Sequence, residues 1–110
     1  MSEFVYLYRG GRRPEGAADV ANLQKWAAWL QDLAEKGHLK ERGQPLDDGG
    51  NVVRDRAGSM TDGPYAESKD IVVGFTIVEA GDLAQASVLA RGCPIFENGG
   101  LVEVRPVMKM

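Results

Sequence analysis

Apolar and polar positions alternate in blocks along the chain, and each block predicts an element. Glu3 to Arg9 carries Phe4-Val5-Tyr6-Leu7-Tyr8, a run of β-branched, aromatic and apolar residues that predicts a strand. With a side-chain period of two, Phe4, Tyr6 and Tyr8 share one face and Val5 and Leu7 the other, so both faces call for cover, as in a central strand. The period then switches. Between Ala17 and Lys36, Val20, Leu23, Trp26, Ala27, Leu30, Leu33 and Ala34 recur at helical spacing and form one stripe. Trp29 falls off the centre of that stripe, which leaves it to a subunit contact, a cleft wall or plain surface. Gly37 is placed as a helix stop.

Leu39 to Leu46 predicts a second, charged strand, Asp47-Asp48-Gly49-Gly50 a turn, and 51–56 a short hairpin arm. The most apolar run is Ile71 to Val78, a core strand continuing to residue 79. Asp82 with Gln85 three residues on is a capping-box arrangement opening a second helix, whose inner face is Leu83, Ala86, Leu89 and Ala90. Gly92 and Pro94 end that helix. Leu101 to Val107 is the last strand, with Val102 and Val104 on one face, Glu103 and Arg105 on the other, and Pro106 marking an edge or end. The order strand, helix, strand, hairpin arm, strand, helix, strand is the split βαβ, ferredoxin-like βαββαβ layout of an α+β protein. Two helices cover one face of a four-stranded sheet. A second subunit is the simplest cover for the other, and the aromatic side of the first strand motivates a homodimer.

Chemistry concentrates at the mouth of the core strand. Thr61-Asp62-Gly63-Pro64-Tyr65-Ala66-Glu67-Ser68-Lys69-Asp70 is a tight polar turn. Gly63 tolerates dihedrals other residues avoid, and Pro64 fixes its own φ and suits the first position of a short helical turn over 65–68. Asp62 suits a turn anchor accepting from a downstream backbone N–H. On their own, these features read first as a turn-former at Asp62 with Glu67 and Lys69 as solvated loop charges.

The octapeptide 62–69, followed by Gly74-Phe75, Cys93-Pro94 and Val102-Glu103-Val104-Arg105-Pro106-Val107, resembles the DGPF branch of the YCII-related proteins, with Tyr65 where that branch carries Phe. The resemblance spans nearly the whole chain and is strongest from Thr61 onward. It implies a dimeric α+β barrel, in which sheets pair face to face, and a small-molecule site; members of the wider superfamily act as lactone isomerases, dehydrochlorinases and monooxygenases. YCII relatives are thought to use a His–Asp pair with the histidine inside the first helix. Here the sole histidine, His38, follows that helix, where the dipole favours a cation and no general-base role is required.

Composition narrows the options. The chain has 110 residues, a net charge of −3 and no basic patch beyond Arg12-Arg13, which argues against nucleic-acid binding and for one domain over 1–110. No apolar run approaches a membrane span, and the N-terminus has no signal-peptide pattern, so a cytoplasmic protein is expected. Cys93 is alone and follows a helix C-terminus, the wrong end for an activated thiolate, so it reads as a small buried apolar residue. The Asp47-Asp48-Gly49-Gly50-Asn51 run lacks the alternating oxygens and distal Glu of a calcium loop. One His and one Cys leave no transition-metal set, and no cofactor is expected.

The expected site is a cleft between sheet and turn for a small anion or carboxylate. Asp62, Glu67 and Lys69 are the candidates for acid–base chemistry and anion steering. Tyr6, Tyr8 and Tyr65 are candidates to line the cleft, and Arg105 to clamp a carboxylate. The reaction class is acid–base chemistry on a small polar or cyclic metabolite. The alternative is a non-catalytic ligand-binding or regulatory module, because DGPF-type proteins are often encoded beside, or joined to, sigma-factor-like transcription regulators.

Overall fold

A computed structural model describes residues 1–11, 16–47, 49–63 and 70–110, with the side chains of the first helix described from residue 20. Its elements are β1 (Ser2–Gly10), α1 (Gly16–Glu35), β2 (Leu39–Glu41), β3 (Asn51–Val53), β4 (Met60–Asp62), β5 (Val72–Ala80), α2 (Leu83–Ala90), a 3₁₀ turn (Pro94–Asn98) and β6 (Gly100–Pro106). The four-stranded sheet runs β2-β5-β1-β6, while β3 and β4 pair with each other as a separate hairpin arm. All pairings are antiparallel. This is the ferredoxin-like α+β fold with an extra arm that the order of elements predicts. No helix is long and apolar enough to cross a membrane.

The two central strands, β1 and β5, bury alternate residues against the helices. Phe4, Tyr6 and Tyr8 from β1 face Val78, Thr76 and Gly74 from β5 across the ladder. Bulky and small residues are thus matched pair by pair, and Val104 and Val102 continue the layer on β6. The Phe4, Tyr6, Tyr8 face is therefore the helix-covered face, not the one awaiting a second subunit. The expectation fails because α1 supplies the aromatic partners, α2 the acceptor for Tyr6 and β5 the acceptor for Tyr8. On the opposite face Val5, Leu7, Phe75 and Ile77 stand in register and half-buried, rimmed by the Arg9–Glu103 ion pair (2.7 Å), by Arg105, and by Lys40 near Glu3 and Glu79.

The face α1 buries is rotated from the predicted stripe. Val20 and Leu23 are more than half exposed, whereas Asn22, Trp29, Leu30 and Leu33 are buried. Trp29 is core. Its ring stacks on Tyr6 at 5.9 Å, its Nε1 donates to the Leu89 carbonyl at 3.3 Å, and a side chain at Gly92 would crowd it. The large area of one indole outweighs two aliphatic side chains in choosing the face. Beyond α1, Gly37 (φ +79°) closes a Schellman turn, with Gly37 N–H on the Ala34 carbonyl and His38 N–H on the Leu33 carbonyl. His38 Nδ1 lies 2.8 Å from the Glu79 carbonyl, which fixes a proton on that nitrogen.

The predicted strand over 39–46 is shorter than expected. Regular pairing stops at Glu41, and only an isolated bridge, Pro45 to Gly74, follows. Gly43 (φ +75°) turns the chain against β5, and Pro45 brings no N–H to the ladder. At α2 the Asp82 side chain accepts from Gln85 N at 2.8 Å, and Gln85 Oε1 accepts from Gly81 N at 2.6 Å, so the capping box forms one residue further back on its return bond. Ala86 and Ala90 are buried, while Leu83 is not.

Candidate ligand-binding site

A cavity of about 350 Å³ opens between α1 and the segment 42–46 that runs along β5. Its position follows from local chain geometry. Phe75 N–H donates to the Gln44 carbonyl and Leu46 N–H to the Val73 carbonyl, so 42–46 is held as an outer wall without becoming a full strand. Gly74 sits opposite Tyr8 and leaves the space that a side chain would take from the phenol ring and the Gln44 carbonyl. The α1 wall is Leu23, Trp26, Ala27 and Leu30, and Ile95 and Asn98 of the 3₁₀ turn close one end.

Tyr8 and Trp26 meet edge to face at 4.8 Å on the cavity wall. Tyr8 Oη donates to Thr76 Oγ1 at 2.6 Å, and Thr76 Oγ1 donates to the Arg42 carbonyl at 3.0 Å. This two-bond relay ties the cavity floor to its outer wall. Burial pushes the Tyr8 phenol far above its usual range, against the lowering effect of its hydrogen bond to Thr76. Asn98 Nδ2 donates to the buried Asn22 Oδ1 at 3.1 Å, pinning the 3₁₀ turn to α1. The described lining residues include Arg42 and no carboxylate or imidazole.

The residues singled out from the sequence are distributed over three places. Tyr8 lines the cavity. Tyr6 lies deeper in the core, fully buried, with Oη donating to the Ala86 carbonyl at 2.6 Å. Burial, helped by nearby Cys93, pushes its phenol up to about 12. Arg105 is exposed on the face of β6 opposite the helices, paired across from Val5. Asp62 is exposed at the end of β4, opposite Asn51, and does not line the cavity. Tyr65, Glu67 and Lys69 lie outside the described residues. Cys93 is buried, and burial raises its thiol to about 12, which keeps it protonated and unreactive. Among the described residues no group of His, Cys, Asp and Glu side chains could hold a metal ion.

The sequence reading missed Trp26, Arg42, Thr76 and Asn98 as lining residues. Trp26 carried a signal as part of the apolar helix stripe. Gly74 and Thr76 carried one too, as small residues on the same face of a strand otherwise filled by large ones. Arg42 and Asn98 carried none, because only the folding of two irregular segments brings them to the cavity.

Comparison with known proteins is consistent with this architecture. No curated protein matches the chain in sequence. Among solved structures, 5-chloro-2-hydroxyhydroquinone dehydrochlorinase from Burkholderia phenoliruptrix AC1100, in complex with 2,5-dihydroxybenzoquinone, superposes with a TM-score of 0.50 at 19% identity, covering 98% of this chain and 95% of that one. At that identity the likeness speaks for the fold. The family model for the YCII-related domain matches residues 5–110, and the chain belongs to the YCII-related family.

Proposed function

We propose that the protein binds a small cyclic or aromatic molecule in the cavity between α1 and the segment 42–46. The carrying observation is the cavity itself: about 350 Å³, walled by Tyr8, Trp26, Leu23, Leu30 and Ile95, with Arg42, Gln44, Thr76 and Asn98 as its few polar residues. An apolar concavity of a few hundred cubic ångströms with sparse polar groups is the usual form of a small-molecule site. The fold-related dehydrochlorinase holds a dihydroxybenzoquinone, a ring of the size this cavity suits. Neither the family match nor the fold lends support to the transcription-regulation alternative.

The catalytic extension of this reading assigns acid–base work to Asp62, Glu67 and Lys69 and ligand contact to Tyr65, the roles expected from the sequence. Within the cavity Tyr8 serves as wall, its O–H committed to Thr76, and burial keeps the phenol protonated throughout the physiological range. Binding is tested by titrating the protein with hydroxylated six-membered-ring compounds and following tryptophan fluorescence. Saturable quenching that weakens about tenfold or more in Trp26→Leu supports the site; quenching indifferent to that change puts the ligand elsewhere. Turnover of any bound compound, lost in Glu67→Gln or Lys69→Ala with binding kept, distinguishes an enzyme from a binding module.

We also propose that a second copy of the chain covers the open sheet face. Val5, Leu7, Phe75 and Ile77 form its apolar centre, and the ionic rim that includes Arg105 would fix the register between the two sheets. In this assignment Arg105 serves assembly and leaves the carboxylate-clamping role to another residue.

A further inference from the structure

The charge around the cavity is one-sided. Of the described residues that line it, Arg42 alone carries a charge at neutral pH. Its backbone is fixed twice over: the carbonyl accepts from Thr76 Oγ1, and the following residue pairs, Gln44 with Phe75 and Leu46 with Val73, hold the segment along β5. Its guanidinium makes no hydrogen bond or ion pair with any described residue. Several other cations on the same domain are engaged, Arg9 with Glu103 and the Asp70 carbonyl, Lys25 with Glu97 and Lys36 with Asp32, but none of these lines the cavity. A guanidinium presents a planar fork of donors that matches a carboxylate in two parallel bonds. Beside an apolar, partly enclosed space, its attraction for an anion is less screened than on an open surface.

We infer that Arg42 is the specificity-determining residue of the cavity, and that it selects ring compounds bearing a carboxylate over their uncharged analogues. The inference rests on the reading of the cavity as a ring-binding site and adds the charge class of the ligand. The ring packs on Tyr8 and Trp26, and the carboxylate projects toward the 42–46 wall. No covalent step is involved. Because the guanidinium is exposed, the selectivity is modest, about three- to tenfold, as for ion pairs that keep contact with water.

The test uses benzoate and benzamide as probes, which share a ring and differ in charge. Their affinities are measured by tryptophan fluorescence in the wild type, Arg42→Gln, Arg42→Lys and Trp26→Leu. The wild type should bind benzoate about three- to tenfold more tightly than benzamide. Arg42→Gln should lose that preference, its benzoate affinity falling to about its benzamide affinity, and Arg42→Lys should keep part of it as a point charge without the fork. In the wild type the preference should shrink as salt is raised, a readout that needs no variant. Equal binding of the two probes by the wild type, or a preference that survives in Arg42→Gln, would overturn the assignment while benzamide binding leaves the cavity reading intact. Absence of binding by both probes, or binding insensitive to Trp26→Leu, would overturn both.

Discussion

The tyrosines of β1 show how much a single side chain's surroundings decide. Tyr6 and Tyr8 sit two residues apart on the same strand face, yet one is sealed under α2 with its hydroxyl on a helix carbonyl, and the other borders a cavity with its hydroxyl on Thr76. Both phenols are raised, and so is the Cys93 thiol, chiefly because burial disfavours the charged form. The linkage has a definite sign. In the unfolded chain these groups lose protons near pH 8.5 to 10, whereas in the fold Tyr6 and Cys93 hold theirs to about 12 and Tyr8 beyond that. Across that window the unfolded state binds fewer protons, so stability falls as pH rises. The melting temperature should therefore be insensitive to these groups below about pH 8.5 and decline above it. The decline should be shallower in the Tyr6→Phe/Tyr8→Phe double variant. Tyrosinate absorbance offers the check: two of the three phenols should ionise only as the protein unfolds, and a single folded-state midpoint near 10 for all three would contradict the burial.

Among the elements, the irregular segment 42–46 matters most, because it makes the outer wall of the cavity. Its hinge is Gly43, where a Cβ would lie 1.7 Å from the Phe75 carbonyl oxygen in a backbone already at φ +75°. Gly37 has a similar φ of +79° but open space around its Cα. The two glycines thus separate conformational cost from collision. Gly37→Ala should cost about 1–2 kcal/mol, the penalty for an L-residue in the left-handed region. Gly43→Ala carries the same penalty plus a clash with main chain, so its loss of stability should be clearly larger, and it should also weaken ligand binding by displacing the wall. Thermal or denaturant unfolding of both variants checks this; equal losses would mean that the wall gives way freely.

At the scale of the whole molecule, the open sheet face is the apolar surface that the helices leave uncovered. Its centre is apolar and in register on both central strands, and the helices are fully occupied on the other side. If two copies meet there, Leu7→Glu should convert a dimer to a monomer by placing a charge in the middle of the contact, with helical content retained. Sedimentation equilibrium at micromolar concentration reads the outcome, and a monomeric wild type would remove the proposal. Such an interface would also bury the Arg9–Glu103 pair more deeply, making it a register device of the kind charged groups provide in sheet and helix pairings.

Periodicity alone located β1, α1, β5, α2 and β6, because each carries a long apolar pattern of one period and a stop signal of known chemistry: Gly37, the Asp82–Gln85 cap, Pro94. The ferredoxin-like order followed from their succession. Local pattern could not decide which face each element buries when both look suitable. The Phe4-Tyr6-Tyr8 side and the Val5-Leu7 side of β1 are both apolar, and the helices cover the tyrosines, where Ala86 accepts from Tyr6 and Trp26 and Trp29 pack on the two rings. Nor could it decide how α1 rotates, since Trp29 reaches Tyr6 only once β1 and the helix are in place. The candidate site was half legible. Tyr8 and the small residues Gly74 and Thr76 belong to regular strands, whose alternation can be read from sequence, whereas Arg42 and Asn98 come from irregular segments whose paths are set by long-range hydrogen bonds to β5 and α1. A strand's period is a property of its own backbone; a cavity is a property of the gaps between elements, and those exist only after the elements have packed.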